Sequence, residues 1–217
     1  MIKAAMTNPY ALMNEGEKTN ALFGEGLELL HVRKPKYSKA DMRAFIESID
    51  KKYHNRLILH HDFGLAADYQ LRGVHLSPGD RNSLWVMKIL IPLLRKKHPE
   101  LQLSSTYAKP RILKSIPYNL SHVLLGPAYG VQPNPEIMFQ KSISEVKAHL
   151  AKSKIPILAL GGLSSETLPY VRKAGFDGAC LQRVIWKSVD PKRSYIQCCE
   201  ILDSAPDLES SKAKKIE

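Results

Sequence analysis

The fold is indicated most clearly by the segment Ile157-Leu158-Ala159-Leu160-Gly161-Gly162-Leu163-Ser164. Its short apolar run is typical of a buried parallel strand, and it leads directly into two glycines and a helical pattern. Glycines let the backbone approach an anion, and a helix start supplies free N–H groups and a positive dipole end. By itself the stretch is equally consistent with a phosphate-binding turn and with a tight turn that needs positive φ. Arg183, one strand further along, favours phosphate.

The same order of a short apolar run and a helical stretch recurs on both sides of this segment. The predicted strands are Ile2–Met6, Glu28–Val32, Leu57–His60, Gly73–Leu76, Leu101–Ser105, His122–Leu125, Ile157–Leu160 and Gly178–Gln182. The helical stretches include Lys39–Lys52, Trp85–Lys97 with a kink at Pro92, Ile143–Lys152 and Glu166–Ala174, with Ser142 and Ser164 as caps. Eight such units in 217 residues predict a single α/β domain, a closed (β/α)8 (TIM) barrel over residues 1–203. Residues 204–217 read as a polar tail.

Composition narrows the class of protein. Apolar residues make up 44% of the chain, enough for a sizeable core, and no apolar run approaches the length of a membrane span. Three cysteines without a C-x-x-C motif, and no secretory leader, favour a reduced, cytoplasmic setting. The net charge of +11 comes mostly from scattered residues, which favours a solvated surface first, an anionic phosphorylated substrate second and nucleic acid a distant third. We therefore expect no membrane or nucleic-acid partner, and homo-oligomer formation stays open.

In a barrel of this kind the active site lies at the carboxyl ends of the strands. Arg33 is a natural ligand for phosphate, and it shares strand parity with His31, so both are expected to point inward. Of the adjacent pair His60-His61, at most one faces the interior, and parity with Ile58 favours His60. No H-x-H or H-x-x-x-H spacing supplies a third ligand, so a metal site on this pair is not predicted.

Two further features complete the picture from the residues alone. His75 lies within a strand, where a hydrogen-bonded core histidine is the favoured interpretation. The Gly- and Pro-rich stretch Gly126–Phe139 is the longest irregular segment, and a long loop in a compact fold is more often functional than accidental.

Several segments, taken together and in order, resemble the thiamine phosphate synthase/TenI family. They are Leu30-His31-Val32-Arg33-Lys34-Pro35, Gly73-Val74-His75-Leu76, Leu125-Gly126-Pro127, Ile157-Leu158-Ala159-Leu160-Gly161-Gly162-Leu163 and Ala174-Gly175-Phe176-Asp177-Gly178-Ala179. The resemblance implies a barrel that couples hydroxymethylpyrimidine pyrophosphate with thiazole phosphate and releases pyrophosphate. It also implies Mg²⁺, no organic cofactor, and a small phosphorylated thiazole or pyrimidine ligand.

The pyrophosphate and metal positions of the family are only partly kept. Arg33 is retained, but Pro35 replaces the family lysine, which leaves Lys34 or Lys36 as partial substitutes. The family Asn-Asp pair aligns with His60-His61, so one magnesium carboxylate is missing. The second is present as Asp80.

At the remaining family positions, some residues match the family and others are replaced. Ser104 matches a family serine, and Thr106 takes the place of a histidine. The hydroxyls and lysine of the loop after strand six are absent at residues 131–134. Arg183 stands where a family serine caps a phosphate, and Pro127 stands where the TenI tautomerase has its catalytic histidine.

The resemblance thus implies a thiamin-biosynthetic enzyme, with the synthase reaction on a degenerate pyrophosphate and metal site as the first interpretation. A TenI-like thiazole tautomerase, with a strand-three histidine as proton shuttle, and a non-catalytic phosphate-binding paralogue stay open as alternatives. The predicted catalytic residues are Arg33, His60 and His61, and the predicted magnesium ligand is Asp80. The predicted substrate- and phosphate-binding residues are His31, Arg33, Ser104, Gly161, Gly162, Gln182 and Arg183.

Overall fold

The computed structural model describes residues 1–116, 119–130 and 134–204. Eight parallel strands close into a barrel in the order β1-β10-β9-β6-β5-β4-β3-β2, which confirms the predicted (β/α)8 architecture. The barrel strands are β1 (Ile2–Met6), β2 (Leu29–Val32), β3 (Leu57–Leu59), β4 (Gly73–Leu76), β5 (Gln102–Tyr107), β6 (His122–Leu125), β9 (Ile157–Leu160) and β10 (Gly178–Leu181). Two short strands outside the barrel, β7 (Ile137–Met138) and β8 (Lys141–Ser142), pair antiparallel.

Helices follow the strands and cover the outside of the barrel. They are α1 (Glu15–Gly24), α2 (Lys39–Glu47), α3 (Phe63–Asp68), α4 (Pro78–Asn82), α5 (Ile91–Lys97), α6 (Ile143–Leu150), α7 (Leu168–Lys173), α8 (Arg183–Trp186) and α9 (Pro191–Ser204). Short 3₁₀ segments span Lys51–Arg56 and Pro110–Ser115, and a π-helical turn spans Val86–Leu90.

Three predicted helical features differ from the structure. The stretch Lys39–Lys52 is not one helix, because α2 ends at Glu47 and the chain continues as a 3₁₀ turn. Pro92 lies in the first turn of α5, and since proline lacks an N–H group, the regular α-helical ladder is replaced by the π turn just before it. Ser164 does not cap α7 through its side chain, because the helix begins only at Leu168 and the intervening residues form turns.

The barrel has two cores. The larger lies between strands and helices, while a smaller one fills part of the barrel interior. Buried apolar residues of the inner core are Ala4, Met6, Leu29, Ile58, Leu124, Leu158 and Cys180. The same interior also holds buried polar side chains from β2, β4, β5 and β6, namely His31, His75, Ser104 and His122. Strands β2 and β6 thus contribute both apolar and imidazole side chains to the inside of the barrel.

The remaining sequence expectations concern the loop, the tail and the cysteines. Within Gly126–Phe139, residues 131–133 lie outside the described residues, and the segment ends in the β7–β8 pair. Helix α9 ends at Ser204, and the rest of the predicted tail lies outside the described residues as well. Cys180, Cys198 and Cys199 are buried and unpaired. Among the helices that the structure describes, none has the length and apolar character to cross a bilayer.

Candidate functional site

Four histidine side chains meet inside the barrel, below the rim formed by the carboxyl ends of the strands, which we call the mouth. His31 comes from β2, His75 from β4 and His122 from β6, while His60 directly follows β3. The Nδ1 atom of His31 lies 3.2 Å from Nε2 of His60, and its Nε2 atom lies 3.0 Å from Nε2 of His122. The rings of His60 and His75 stack with centroids 4.1 Å apart. We refer to these four residues as the histidine cluster.

The donor and acceptor roles along this chain follow from its inner end. The Ser121 hydroxyl donates to the Leu103 carbonyl oxygen at 3.1 Å, so its oxygen accepts from Nδ1 of His122 at 3.0 Å. A neutral imidazole has one donor and one acceptor nitrogen. His122 Nε2 therefore accepts from His31, and His31 Nδ1 accepts from Nε2 of His60. We infer that Nδ1 of His60 is the unprotonated nitrogen at the outer end of the chain.

Burial keeps the cluster neutral. It lowers the pKa of His31 and of His75 well below the usual value, with the neighbouring histidines adding to the effect. The pKa of His60 falls to about 3, first through burial and then through the positive charge of Arg33. Burial, followed by the charge of Arg72, lowers the pKa of His122 to about 4. Neutral rings are what the hydrogen-bond directions above require.

His75 is held by two hydroxyl groups of β5. Its Nδ1 atom lies 2.9 Å from Oγ of Ser104, and its Nε2 atom lies 2.8 Å from Oγ1 of Thr106. His75 thus has a partner at both ring nitrogens, as the sequence predicts for a core histidine. Ser104 and His31 are buried and hydrogen-bonded within the barrel, and their direct contact with a ligand stays a prediction. Both side chains lie beneath the surface of the mouth.

The mouth above the cluster carries Arg33 and a depression of about 410 Å³. Arg33 is exposed, and its backbone N–H donates to Thr7 Oγ1 at 2.9 Å, which fixes the end of β2 against the end of β1. The depression is lined by residues that follow β3 and β4, among them His60, His61, Asp62 and Asp80. Nδ1 of His61 lies 3.0 Å from the Asp62 carboxylate.

Asp80 has a structural role in addition to its place in the depression. Its carboxylate accepts the Ser77 N–H at 2.8 Å and closes the capping box that begins α4. Only one of its oxygens is used in this way. The other oxygen has no hydrogen bond among the residues described by the structure.

The turn after β9 has the backbone that its glycines predict. Gly161 and Gly162 have φ values of +88° and +70°. A Cβ atom on Gly162 would lie 2.5 Å from Cβ of Tyr129, so a side chain has no room there. The N–H groups of Gly162 and Leu163 have no hydrogen-bond acceptor within the described ranges. The turn therefore presents free donors on a backbone shape that only glycine adopts without strain.

The end of the neighbouring strand β10 supplies two predicted residues with different surroundings. Arg183 begins α8, is exposed, and has no side-chain hydrogen bond or ion pair to the described parts of the chain. The side-chain amide of Gln182 donates to the Thr7 carbonyl oxygen at 3.0 Å, so it joins β10 to β1. Of the two, Arg183 has the group that is open to a ligand.

The two candidates for replacing the missing family lysine, Lys34 and Lys36, have different surroundings. Lys34 is completely buried, forms an ion pair with Glu15 on α1 and donates to the Tyr10 carbonyl oxygen at 2.9 Å. Its substitution for the missing lysine is therefore wrong, because the ammonium group is held on the helix side of β2. Lys36 lies over the ring of Tyr10, 5.7 Å from its centroid.

Sequence reasoning missed three contributors to this region. His122 and Ser121 set the hydrogen-bond directions of the cluster, and Asp62 lies in the depression beside Asp80. His122 and Leu124 have the same strand parity, which could have indicated that His122 points inward. Parity does not reveal its partner, because only closure of the barrel brings His122 within 3.0 Å of His31, 91 positions away.

A convergent group of possible metal ligands in the described residues includes His60 but not His61, so the absence of a metal site on the His60-His61 pair stays a prediction. One ring nitrogen from each of His31, His60 and His75 lies within 4.8 Å of the other two. Spacing along a single strand does not show such a group, because each member comes from a different strand.

Comparison with known proteins places these features in a family. A family model described as thiamine monophosphate synthase matches residues 7–185. The chain is 23% identical over 186 residues to a thiamine-phosphate synthase of Cronobacter sakazakii, covering 83% of this chain and 85% of that protein. It is 24% identical over 144 residues to one of Latilactobacillus sakei, covering 66% and 62%.

Solved structures agree at the level of the fold. Thiamine phosphate pyrophosphorylase from Bacteroides thetaiotaomicron superimposes with a TM-score of 0.73 at 23% identity, covering 96% of this chain and 99% of that one. The corresponding protein from Pyrococcus furiosus gives 0.72 at 16% identity, covering 94% and 96%. From the barrel, the glycine turn after β9 and a family match that runs through most of the strands, we conclude that this chain belongs to the thiamine monophosphate synthase/TenI family.

Proposed function

We propose that this protein is a cytoplasmic thiamin-biosynthetic transferase that couples hydroxymethylpyrimidine pyrophosphate with thiazole phosphate and releases pyrophosphate. The observation that carries the proposal is the positive-φ Gly161-Gly162 turn, whose amides have no acceptor among the described residues and which lies at the same barrel edge as Arg183. Backbone N–H groups together with an arginine form a suitable cradle for a phosphate dianion. The thiazole phosphate would be held there.

The pyrophosphate would leave near Arg33, at the end of β2, which is separated from β10 by β1. Its guanidinium is exposed, makes no side-chain hydrogen bond to the described residues, and is close enough to His60 to lower that residue's pKa. Negative charge develops on the departing pyrophosphate, and a fixed cation in this position stabilises it. Arg33 thus supplies charge stabilisation, and the neutral histidines beneath it add no competing charge.

The depression at the mouth fits a magnesium ion in part. Asp62 and Asp80 both line it, and each has one carboxylate oxygen free of hydrogen bonds to described residues. Mg²⁺ in phosphate-handling sites is held by one or two carboxylates, with water and substrate phosphates completing the shell. These two residues would hold the ion, and when bound it would neutralise charge on the pyrophosphate. Asp62 would then replace the carboxylate that His61 does not provide.

A second candidate function is proton transfer on a bound thiazole phosphate, as in a tautomerase. The directional chain of the histidine cluster leaves Nδ1 of His60 as a neutral acceptor toward the mouth, and His61 lies beside it in the depression. A positioned neutral imidazole is suited to general-base catalysis. His60 would accept the proton, and His61 would be the second histidine within reach of the ligand.

The test is release of pyrophosphate from the two substrates with Mg²⁺, compared between the native chain and two variants. Arg33→Gln should lower kcat/KM by about 100-fold or more, the usual cost of removing a group that stabilises developing charge. Arg193→Gln removes an exposed arginine of α9 and serves as the matched control. Absence of pyrophosphate release would overturn the coupling reaction. Turnover of the thiazole alone would then support the tautomerase, and tight binding without turnover a non-catalytic paralogue.

A further inference from the structure

We propose that His31, His60 and His75 form a binding site for one divalent transition-metal ion of the zinc type inside the barrel. The three ring nitrogens that would face the ion converge to within 4.8 Å of one another. His31 Nδ1 and His60 Nε2 are 3.2 Å apart. Zinc–nitrogen bonds of about 2.0–2.1 Å in a tetrahedral site place two ligand nitrogens about 3.3–3.4 Å apart, so this edge of the site needs almost no adjustment.

The protonation state of the three rings suits a metal. Metal ions bind the neutral imidazole, and a site that must first lose protons binds weakly at neutral pH. Burial is the main reason that the pKa values of His31, His60 and His75 lie below the usual range for histidine. All three are therefore neutral and ready to act as ligands at pH 7.

His31 and His75 also have hydrogen-bond partners for the ring nitrogen that would not bind the ion, as is usual in metal sites. Metal-bound histidines usually donate their other ring N–H to an acceptor that fixes their orientation. His31 donates from Nε2 to His122, whose own direction is set by Ser121. His75 would exchange one of its two hydroxyl partners, Ser104 or Thr106, for the ion and keep the other. Its ring stacks on that of His60 at an interplanar angle of 15°, so one of the two rings would have to rotate for both to bind the same ion.

Ligand chemistry selects the type of ion. Mg²⁺ and Ca²⁺ prefer oxygen, whereas imidazole nitrogen suits Zn²⁺, Co²⁺, Ni²⁺ and Cu²⁺. Three protein ligands leave a fourth position open, as in catalytic zinc sites. His60 is the partly exposed member of the three and lines the depression, so we expect the open position to be reached from there. This site is distinct from the oxygen ligands Asp62 and Asp80.

Binding would move one proton without releasing it. In the hydrogen-bonded chain, Nε2 of His60 carries the proton, and that nitrogen must become unprotonated to bind the ion. The proton moves to Nδ1, the nitrogen at the outer end, and all three rings stay neutral. In the loaded protein Nδ1 of His60 can then donate but no longer accept a proton.

The experiment is titration of the full, chelator-treated chain with Co²⁺ and Zn²⁺ in the absence of substrate. We expect one equivalent of Co²⁺ with the visible spectrum of a four-coordinate site, its displacement by Zn²⁺, and a Zn²⁺-dependent rise in Tm. The calorimetric heat at pH 7 should not depend on the ionisation enthalpy of the buffer. Failure of the native chain to take up either ion would overturn the proposal, while the coupling reaction, tested separately, would be unaffected.

Variants locate the site. His75→Asn, His60→Gln and His31→Asn should each weaken Zn²⁺ binding by more than about 100-fold, because loss of an outer-shell partner alone already costs about 10–100-fold. His149→Gln, on α6 and outside the cluster, should bind Zn²⁺ like the native chain. Unchanged affinity in the first three variants would assign the ion to another site and overturn the proposal. If a variant does not fold, the number of nitrogen ligands seen by X-ray absorption of the Zn²⁺-loaded native chain decides: three support the proposal, and one or none contradicts it.

Discussion

A single glycine in the turn after β9 shows how tightly one residue is constrained. At Gly162 the φ of +70° disfavours any side chain, and an added Cβ atom would come within 2.5 Å of Cβ of Tyr129. We expect Gly162→Ala to lower the free energy of unfolding by about 1–3 kcal/mol, the usual cost of local backbone strain, and to weaken phosphate binding. Urea-induced unfolding and a thiazole phosphate titration measure the two effects.

Gly24→Ala is the matched control for this substitution. Gly24 ends α1, has no positive φ, and a Cβ there would meet nothing within 4 Å. Alanine favours a helix by up to about 1 kcal/mol over glycine, so this variant should be as stable as the native chain or more so. Equal losses in the two variants would show that the Gly162 position has no special backbone requirement.

Between elements, the buried ion pair of Lys34 and Glu15 joins the end of β2 to the start of α1. Both side chains are almost fully buried, at 0% and 3% exposure. Burial raises the pKa of Glu15 and lowers the pKa of Lys34, and in each case the partner opposes the effect. Burial thus acts against both charges, and each depends on the other for compensation.

This dependence predicts a non-additive mutant cycle. Lys34→Met and Glu15→Leu should each destabilise the protein by about 3–5 kcal/mol, because each leaves one uncompensated buried charge. The double variant should regain most of that loss, since an apolar pair of similar volume often replaces a buried ion pair without cost. Urea denaturation of all four proteins gives the coupling free energy, and additive losses would contradict the account.

A serine side chain caps the first turn of α6 but not that of α7, and this difference should be measurable as a difference in stability. Ser142 forms a full capping box with Glu145, whereas the Ser164 side chain caps no helix directly. Ser142→Ala should cost about 1 kcal/mol of stability, the typical value for a lost N-cap, and Ser164→Ala clearly less. A larger loss at Ser164 in thermal unfolding would show that the sequence prediction of its cap was right.

For the molecule as a whole, the histidine cluster makes stability depend on acid. The pKa of each of the four rings is depressed in the folded protein, to about 3 for His60 and about 4 for His122, so the unfolded chain binds more protons below about pH 6.5. Stability is then fully present above that pH and falls as pH decreases toward the folded pKa values. With four protons, the slope approaches roughly 5.5 kcal/mol per pH unit.

Removing one ring tests this linkage. In metal-free protein, His122→Asn should reduce the acid slope by about 1.4 kcal/mol per pH unit, the share of one proton. Unfolding free energies from urea titrations between pH 7 and pH 5 give the slope directly. A slope that does not change would mean that His122 is not kept neutral by folding.

The barrel and the glycine turn could be predicted from the order of residues alone, because both depend on local patterns. Apolar runs of strand length alternate with helical periods, and a strand leading into Gly161-Gly162 requires a turn with positive φ whatever surrounds it. The alternation of side chains along a strand was also enough to predict that His60 points toward the interior.

The contacts between polar groups, in contrast, could be seen only in the closed barrel. Lys34 appears free in the sequence but is paired with Glu15, 19 positions away, and His122 lies against His31 although 91 residues separate them. The physical reason is that barrel closure sets distances between strands, which no spacing along one strand encodes. For the same reason, three histidines that look unrelated in sequence form one convergent group inside the barrel.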